Sequence, residues 1–212
     1  MTIRVYLVDD HAMVRNAFKM LLESDSDIKV VGMAGDGRTA VKEINYLPVD
    51  LVIMDITMPE LNGIEAINQI KTRKPEIKIL VLTMHSTTEH IYRAFQAGAS
   101  GFLLKEETRD MIQAVHSVIQ GEKLISTKIA DMGNDLYQVS EKLSPLDKLS
   151  MREREVLQLT VEGKSADETA TILSLSPKSV ETYRTRLKKK LGVNDLPSLV
   201  MFAIQHGITP LR

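Results

Sequence analysis

Cysteine is missing from this 212-residue chain, which excludes disulfide bonds and thiolate chemistry. Long apolar runs are missing too, and none approaches the ~18 residues that a membrane-spanning helix needs. The N-terminal segment MTIRVYLVDDH has a short alternating strand pattern instead of the apolar core of a signal peptide. Internal repeats and low-complexity tracts are also lacking. These absences predict a soluble cytoplasmic protein without a membrane segment.

Charge is distributed unevenly along the chain, although the net charge is only −1. Residues 1–147 contain 16 Lys and Arg against 21 Asp and Glu, a balance of −5. Residues 148–212 contain 11 against 7, a balance of +4. A basic module commonly binds nucleic acid. We therefore expect an acidic front part and a basic back part that contact different partners.

Strand and helix patterns alternate in the front part of the chain. The segment LVIM is continuously apolar, as expected for a strand that is covered on both faces. The strand patterns lie at 3–8, 28–34, 51–54, 77–82 and 102–104. Strand–helix units in series predict an α/β fold with a five-stranded, doubly wound parallel sheet over residues 1–125.

The strand pattern ends near residue 126. Residues 126–147 predict a linker with one local helix near 128–139. Residues 148–212 predict an all-α domain of four short helices, and a serine followed three positions later by glutamate marks two of the helix starts, at Ser150 and Ser165. A tight turn at 174–176 joins the second and third predicted helices, which is typical of a helix-turn-helix domain.

Five polar residues lie at the predicted C-terminal ends of four strands: Asp9, Asp10, Asp55, Thr83 and Lys105. An open parallel sheet builds its active site outside the carboxyl ends of its strands. Taken singly, each residue is explained as a turn residue or a solvated surface charge. Taken together, carboxylates, a hydroxyl and an ammonium at one edge predict a site for a divalent cation and a phosphoryl group.

With Met58-Pro59, Gly63 and Phe102, this set resembles the receiver domain of two-component response regulators, which is flavodoxin-like, over about residues 1–122. The resemblance implies that Asp55 accepts a phosphoryl group and that Lys105 and Thr83 assist. It also implies an Mg²⁺ site, formed by Asp9, Asp10, Asp55 and the backbone carbonyl of Thr57. Haloacid-dehalogenase-like phosphatases are a weaker match, because their motif needs a second aspartate where this chain has Thr57.

The resemblance further identifies Thr83 and Phe102 as a switch pair. The Thr83 hydroxyl would move to donate to the phosphoryl group, and the Phe102 ring would fill the space it leaves. The alternative for Phe102 is a plain core aromatic, because a strand buries such a ring in any case.

Residues 148–207 resemble the DNA-binding domain of the NarL/FixJ, or LuxR-type, regulators through LSMREREVLQL, EGKS and LSPKSVETYRTRLKKKLGV. The helix at 177–191 would then enter the major groove, where base edges are distinguishable. The resemblance implies that Glu181, Thr182 and Thr185 contact bases. Basic residues suited to phosphates are Lys178, Arg184, Arg186, Lys188, Lys189 and Lys190. Thr169 departs from the family by placing a hydroxyl where an apolar residue is usual.

The resulting prediction is a regulator of transcription and not an enzyme. A sensor histidine kinase would phosphorylate Asp55, and the protein would bind double-stranded DNA as a homodimer. By resemblance, the last helix forms the dimer contact through Leu199, Val200 and Ala203. The alternative is a phosphorelay or protein-interaction switch, whose helical domain binds protein instead of DNA.

Overall fold

The computed structural model describes residues 2–84, 87–125 and 144–209, without the side chains of Thr108 and Arg109. The helix predicted near 128–139 and most of the predicted linker lie outside the described residues. None of the described helices is long and apolar enough to cross a membrane.

The first part of the chain forms a single parallel sheet with the strand order β2-β1-β3-β4-β5-β6. Its strands are β1 (Ile3–Val8), β2 (Ile28–Ala34), β3 (Leu51–Met54), β4 (Lys78–Thr83), β5 (Gly101–Leu104) and β6 (Leu124–Ile125). The predicted fold class is confirmed, but the sheet has six strands and not five. The added strand has two residues, too few to show a period-2 pattern, and it pairs with β5 to form one edge of the sheet.

Helices cover both faces of this sheet. They are α1 (Ala12–Leu22), α2 (Gly37–Ile44), α3 (Gly63–Arg73), α4 (Thr88–Gln96) and α5 (Met111–Gln120). Buried apolar residues of α2, α3 and α4 pack on one face, and those of α1 and α5 pack on the other. Because each strand is covered twice, its residues are apolar in succession, as the four buried residues of β3 show.

The helical domain begins with a 3₁₀ turn at Pro145–Lys148 and continues with four helices. These are α6 (Met151–Val161), α7 (Ala166–Leu173), α8 (Pro177–Leu191) and α9 (Leu196–Gln205). Both predicted capping boxes are present: the Ser150 and Ser165 side chains cap their helices, and the glutamate three positions later returns a bond to the cap backbone. Such caps satisfy amide donors that the first turn leaves open. A third apolar core holds these helices together.

Candidate functional site

The carboxyl ends of four central strands meet at one edge of the sheet. Val8 pairs with Met54 at the ends of β1 and β3, and Thr83 pairs with Leu104 at the ends of β4 and β5. The next residues along the chain are Asp9, Asp55 and Lys105. Strand register alone therefore delivers these three polar side chains to a common pocket.

Lys105 is the centre of this pocket. Its ammonium nitrogen Nζ lies 2.6 Å from Oδ2 of Asp9 and 2.7 Å from Oδ2 of Asp55. The other oxygen of each carboxylate accepts a backbone amide: Asp55 from Ile56 at 2.7 Å, and Asp9 from His11 at 2.9 Å. Both carboxylates are buried. The Lys105 ammonium thus bridges two buried carboxylates, and a backbone amide holds each carboxylate in place.

The electrostatics of the pocket favour an additional positive charge. Burial raises the pKa of Asp55, and this effect outweighs the opposing attraction of Lys105, while Asp9 raises the pKa further. Burial by itself would lower the pKa of Lys105, but Asp55 and Asp9 together raise it. Asp10 adds a third carboxylate, within 4.8 Å of Asp9. One ammonium does not balance three carboxylates.

A cation fits this donor set. Ligand atoms of Asp9, Asp10 and His11 lie within 4.8 Å of one another, and Nδ1 of His11 is 2.7 Å from Oδ1 of Asp10. Sequence reasoning missed His11, although it directly follows the acidic pair. Mg²⁺ prefers oxygen ligands, so the carboxylates fit the ion better than the exposed imidazole does. Thr57 lies half-buried in the loop after β3, two residues beyond Asp55.

The predicted switch pair shares one face of the sheet. Val81 pairs with Phe102, and Thr83 pairs with Leu104, so all four side chains point to the side covered by α2, α3 and α4. Thr83 is buried, and the Phe102 ring is fully buried in that core. In this conformation Phe102 packs as a core aromatic.

Helix α8 exposes most of the residues that the sequence predicted to contact DNA. The exposed ones are Lys178, Glu181, Thr182, Thr185, Arg186, Lys189 and Lys190, and Lys188 is half-buried. Lys190 forms an ion pair with Glu153 at 2.6 Å. The polar face of the predicted recognition helix is therefore available to a large partner.

Arg184 is held inside the helical domain. Its side chain is only 19% exposed, and its guanidinium donates to three partners inside the domain. Nε donates to Oγ1 of Thr160 at 3.1 Å, Nη1 to Oε1 of Glu181 at 2.9 Å, and Nη2 to the carbonyl of Lys164 at 2.7 Å. An arginine that is held in this way has no free guanidinium to offer in this conformation, and its predicted phosphate contact stays a prediction.

Two of the three dimer residues predicted on α9 are buried in this conformation. Leu199 and Ala203 are fully buried in the core of the helical domain, so this conformation does not present them to a second chain. Val200 is half-buried and lines a cleft of about 700 Å³ together with Pro59 of the first domain. The exposed large hydrophobic side chains of α9 are Leu196, at 50% exposure, and Met201, at 55%.

Sequence reasoning missed an interface between the two domains. We call it the interdomain seam: it joins α6 and the residue after it, Glu162, to the loop after β3 and to helix α3. Its residues are Glu155, Gln158 and Glu162 on one side and 58–69 on the other. The Gln158 side chain donates to the carbonyl of Met58 at 2.8 Å and accepts from the amide of Asn62 at 2.9 Å. Glu162 accepts from the amide of Glu60 at 3.1 Å.

A buried ion-pair cluster continues the interdomain seam. Oε1 of Glu65 lies 2.6 Å from Nε of Arg154 on α6 and 3.4 Å from Nη2 of Arg93 on α4. Glu65 is almost fully buried, so these two arginines take the place of water around its carboxylate. The partners are about 30 to 90 residues apart in sequence, and no local pattern predicts such a pairing.

A second contact joins α4 to the end of α9. The Glu89 carboxylate lies 3.0 Å from Nδ1 of His206 and accepts from the hydroxyl of Ser144 at 2.8 Å. Burial would raise the pKa of Glu89, but the bonds from His206 and Ser144 together lower it. The described hydrogen bonds and ion pairs between the domains run through α6, Ser144 and His206, and leave α8 uncovered.

Comparisons with known proteins agree with this architecture. The family model for the response regulator receiver domain matches residues 5–145, and that for bacterial regulatory proteins of the luxR family matches residues 147–203. The response regulator UvrY of Escherichia coli K12 is 36% identical over 208 residues, covering 97% of this chain and 95% of UvrY. The chain belongs to the LuxR-type response regulators.

Other relatives of this LuxR-type response regulator are similar over nearly their full length. The response regulator protein VraR of Staphylococcus aureus is 35% identical over 210 residues, covering 98% of this chain and 99% of VraR. A solved structure of the response regulator RcsB in complex with DNA is 27% identical, with a TM-score of 0.61, and covers 95% of this chain and 98% of that one. The family is a regulatory one, with a receiver domain and a LuxR-type DNA-binding domain, as the sequence analysis predicted.

Proposed function

We propose that Asp55 accepts a phosphoryl group from a sensor histidine kinase and that the helical domain then binds double-stranded DNA as a homodimer. The observation that carries this proposal is the position of Lys105, whose ammonium bridges Asp9 and Asp55 at the carboxyl edge of the sheet. A buried carboxylate beside a fixed cation can act as a nucleophile toward phosphorus. Since the proposed target is DNA, the proposal places the protein in the cytoplasm.

The transfer makes one bond and breaks one. An Asp55 oxygen bonds to phosphorus as the bond between phosphorus and the kinase imidazole breaks, and the released imidazole takes up a proton. The transition state is loose, so positioning and neutralisation of charge supply most of the acceleration. Lys105 provides a positive charge within hydrogen-bonding reach of the reacting carboxylate. Thr83, at the end of the neighbouring strand, would donate its hydroxyl to the transferred group.

Mg²⁺ is the cofactor that the carboxylates fit best. Asp9, Asp10, Asp55 and the backbone carbonyl of Thr57 would hold it. The ion would neutralise phosphoryl oxygens during the transfer. Replacing Asp9 with Asn should weaken Mg²⁺ binding, which calorimetric titration of the ion alone measures, and should also reduce labelling by a phosphodonor.

The interdomain seam offers a path from the phosphoryl group to the helical domain. Gln158 and Glu162 bond to the part of the loop after β3 that starts three residues beyond Asp55. Glu65 on α3 pairs with one arginine on α6 and one on α4. A movement of Thr83 and Phe102 would shift β4, β5 and α4 relative to α6 and would strain the contacts of the interdomain seam. We therefore infer that phosphorylation loosens the interdomain seam and frees the helical domain.

DNA binding is supported by the exposed basic face of α8 and by the solved RcsB complex. A homodimer would place two α8 helices on a two-fold site. Since Leu199 and Ala203 are buried, the dimer contact on α9 would use the exposed Leu196 and Met201, with Val200 released from the interdomain cleft.

A mobility-shift experiment with the full chain tests the proposal. Treatment with acetyl phosphate should label Asp55 and raise the affinity for a specific duplex, and Asp55→Ala should show neither effect. Equal affinity of treated and untreated protein, in the wild type and in Asp55→Ala alike, would reject phosphorylation control. Capture of protein partners without any DNA affinity would favour the protein-interaction switch.

A further inference from the structure

Arg184 is the one basic residue of α8 whose guanidinium has hydrogen-bonded partners on three separate segments of the described helical domain. Thr160 belongs to the last turn of α6, Lys164 to the loop before α7, and Glu181 to α8 itself. Thr160 is buried, and its hydroxyl also donates to the carbonyl of Val156 at 2.7 Å, so its lone pair is oriented toward Arg184 by a second bond. The anchor of the guanidinium is therefore rigid.

On α8 itself, Arg184 bonds to Glu181, which the sequence predicts to contact a base. Glu181 is 58% exposed, and only Oε1 of its carboxylate accepts from Arg184. A solvent-exposed glutamate normally samples several rotamers, and each must be given up on binding. The bond to Nη1 favours one position of the carboxylate before DNA arrives, while Oε2 has no hydrogen-bond partner among the residues described.

The positive charge of Arg184 affects Glu181 in a second way. An isolated carboxylate on a helix that enters the major groove is repelled by the phosphates on both sides. The guanidinium 2.9 Å away offsets part of this charge at close range, so that Glu181 can approach a base amino group with less repulsion. A carboxylate that accepts from the exocyclic amino group of cytosine is a recognised form of major-groove readout.

We propose that Arg184 is a positioning residue for sequence readout: it fixes the Glu181 carboxylate and locks α8 to α6, and it does not bind phosphate. The inference rests on the proposed DNA-binding function. It separates two kinds of basic residue on one helix. Lys189 is exposed and serves affinity, whereas Arg184 is anchored inside the domain and serves discrimination between bases.

The test compares Arg184→Lys with Lys189→Met in the full chain treated with acetyl phosphate. Lysine keeps the charge but cannot donate from separate nitrogens to three fixed acceptors. The preferred duplex is first selected from randomised DNA with the wild type, and affinities are then measured for all four base pairs at each position and at several salt concentrations.

We expect Arg184→Lys to lose about tenfold of the discrimination at one base pair, the same pair at which Glu181→Gln loses it, with an unchanged salt slope. In the Glu181→Gln background, Arg184→Lys should have no further effect at that pair. Lys189→Met should weaken binding to every duplex alike and reduce the salt slope by about one.

Thr160→Val provides a second variant, in case Arg184→Lys lowers the stability of the domain. It removes one acceptor from the guanidinium and should relax discrimination at the same base pair to a smaller degree. If Arg184→Lys and Thr160→Val leave discrimination intact, or if Arg184→Lys behaves as Lys189→Met does, the inference is overturned while DNA binding stands. If the wild type shows no preference among duplexes, the inference and the proposed function both fall.

Discussion

At the scale of single residues, two buried polar groups oppose folding. Thr169 is fully buried in the small core of the helical domain, and its hydroxyl has no hydrogen-bond partner among the described residues. Burial raises the pKa of Asp55, and the neighbouring Asp9 adds to this effect. Such groups are expected where a residue serves a task other than stability, and Asp55 has one in the proposed phosphoryl transfer.

Thr169→Val should therefore stabilise the protein. Valine has nearly the same shape, and removing an unsatisfied buried hydroxyl should raise the free energy of unfolding by about 1 kcal/mol. Urea unfolding of the helical domain measures the change. Thr171→Val is the matched control, because Thr171 is exposed on the same helix, and its effect should be smaller. A destabilised Thr169→Val variant would show that the hydroxyl has a partner after all.

Asp55→Asn should stabilise the receiver domain in a pH-dependent way. The pKa of Asp55 is higher in the folded state than in the unfolded state, so the folded state binds more protons and wild-type stability falls as pH rises through that window. The gain from Asp55→Asn should thus be largest at neutral pH and shrink as pH falls toward the ordinary aspartate pKa. Urea titrations across this range measure it. A gain that is constant with pH would argue against the burial of a charged Asp55.

At the scale of secondary-structure elements, α6 contributes both to the core of the helical domain and to the interdomain seam. Its apolar residues, such as Val156 and Leu159, pack in the core of the helical domain. Gln158 on this helix and Glu162, the residue that ends it, bond to the receiver loop. The helix therefore transmits any movement of that loop to the domain it belongs to.

Gln158→Ala should open the interdomain seam without unfolding either domain. The change removes the bonds of one side chain to Met58 and Asn62, worth about 2 kcal/mol in total, which corresponds to about thirtyfold in the ratio of docked to open protein. Small-angle X-ray scattering should show a larger radius of gyration, and DNA affinity without phosphodonor should rise. Gln205→Ala, at an exposed position on α9, should change neither quantity. Unchanged scattering from Gln158→Ala would mean that other contacts hold the domains.

Local sequence patterns predicted much of this architecture because the physics behind them is local. Apolar periodicity located the strands of the receiver sheet, and the ends of parallel strands must share an edge, which is why Asp9, Asp55 and Lys105 could be grouped in advance. The seam could not be predicted, since Gln158 and Met58 are 100 residues apart. The anchoring of Arg184 could not be predicted for a related reason: a basic residue on a recognition helix has the same sequence signature whether it faces phosphate or anchors to a neighbouring helix.

At the scale of the whole molecule, the acidic and basic parts of the chain are joined without burying the basic helix. Since α8 stays exposed, electrostatic attraction to DNA should persist in the docked form, and phosphorylation should act on specific, dimeric binding. We expect the affinity of treated wild type to fall steeply as salt rises from 50 to 200 mM, on the order of a hundredfold or more. Fluorescence anisotropy with a labelled duplex measures this. An affinity that is insensitive to salt would favour protein binding by the helical domain.

The docking contacts and the predicted base contacts lie on different helices, and this separation has a consequence for building new regulators. The exposed face of α8 can be exchanged for that of another relative, redirecting the protein to a different promoter, while its response to the kinase is retained. The exchange has one constraint in this chain: the incoming helix must keep an arginine at position 184, since Thr160 and Lys164 of the host are arranged to receive it. Chimeras that ignore this position should bind DNA but choose their sites poorly.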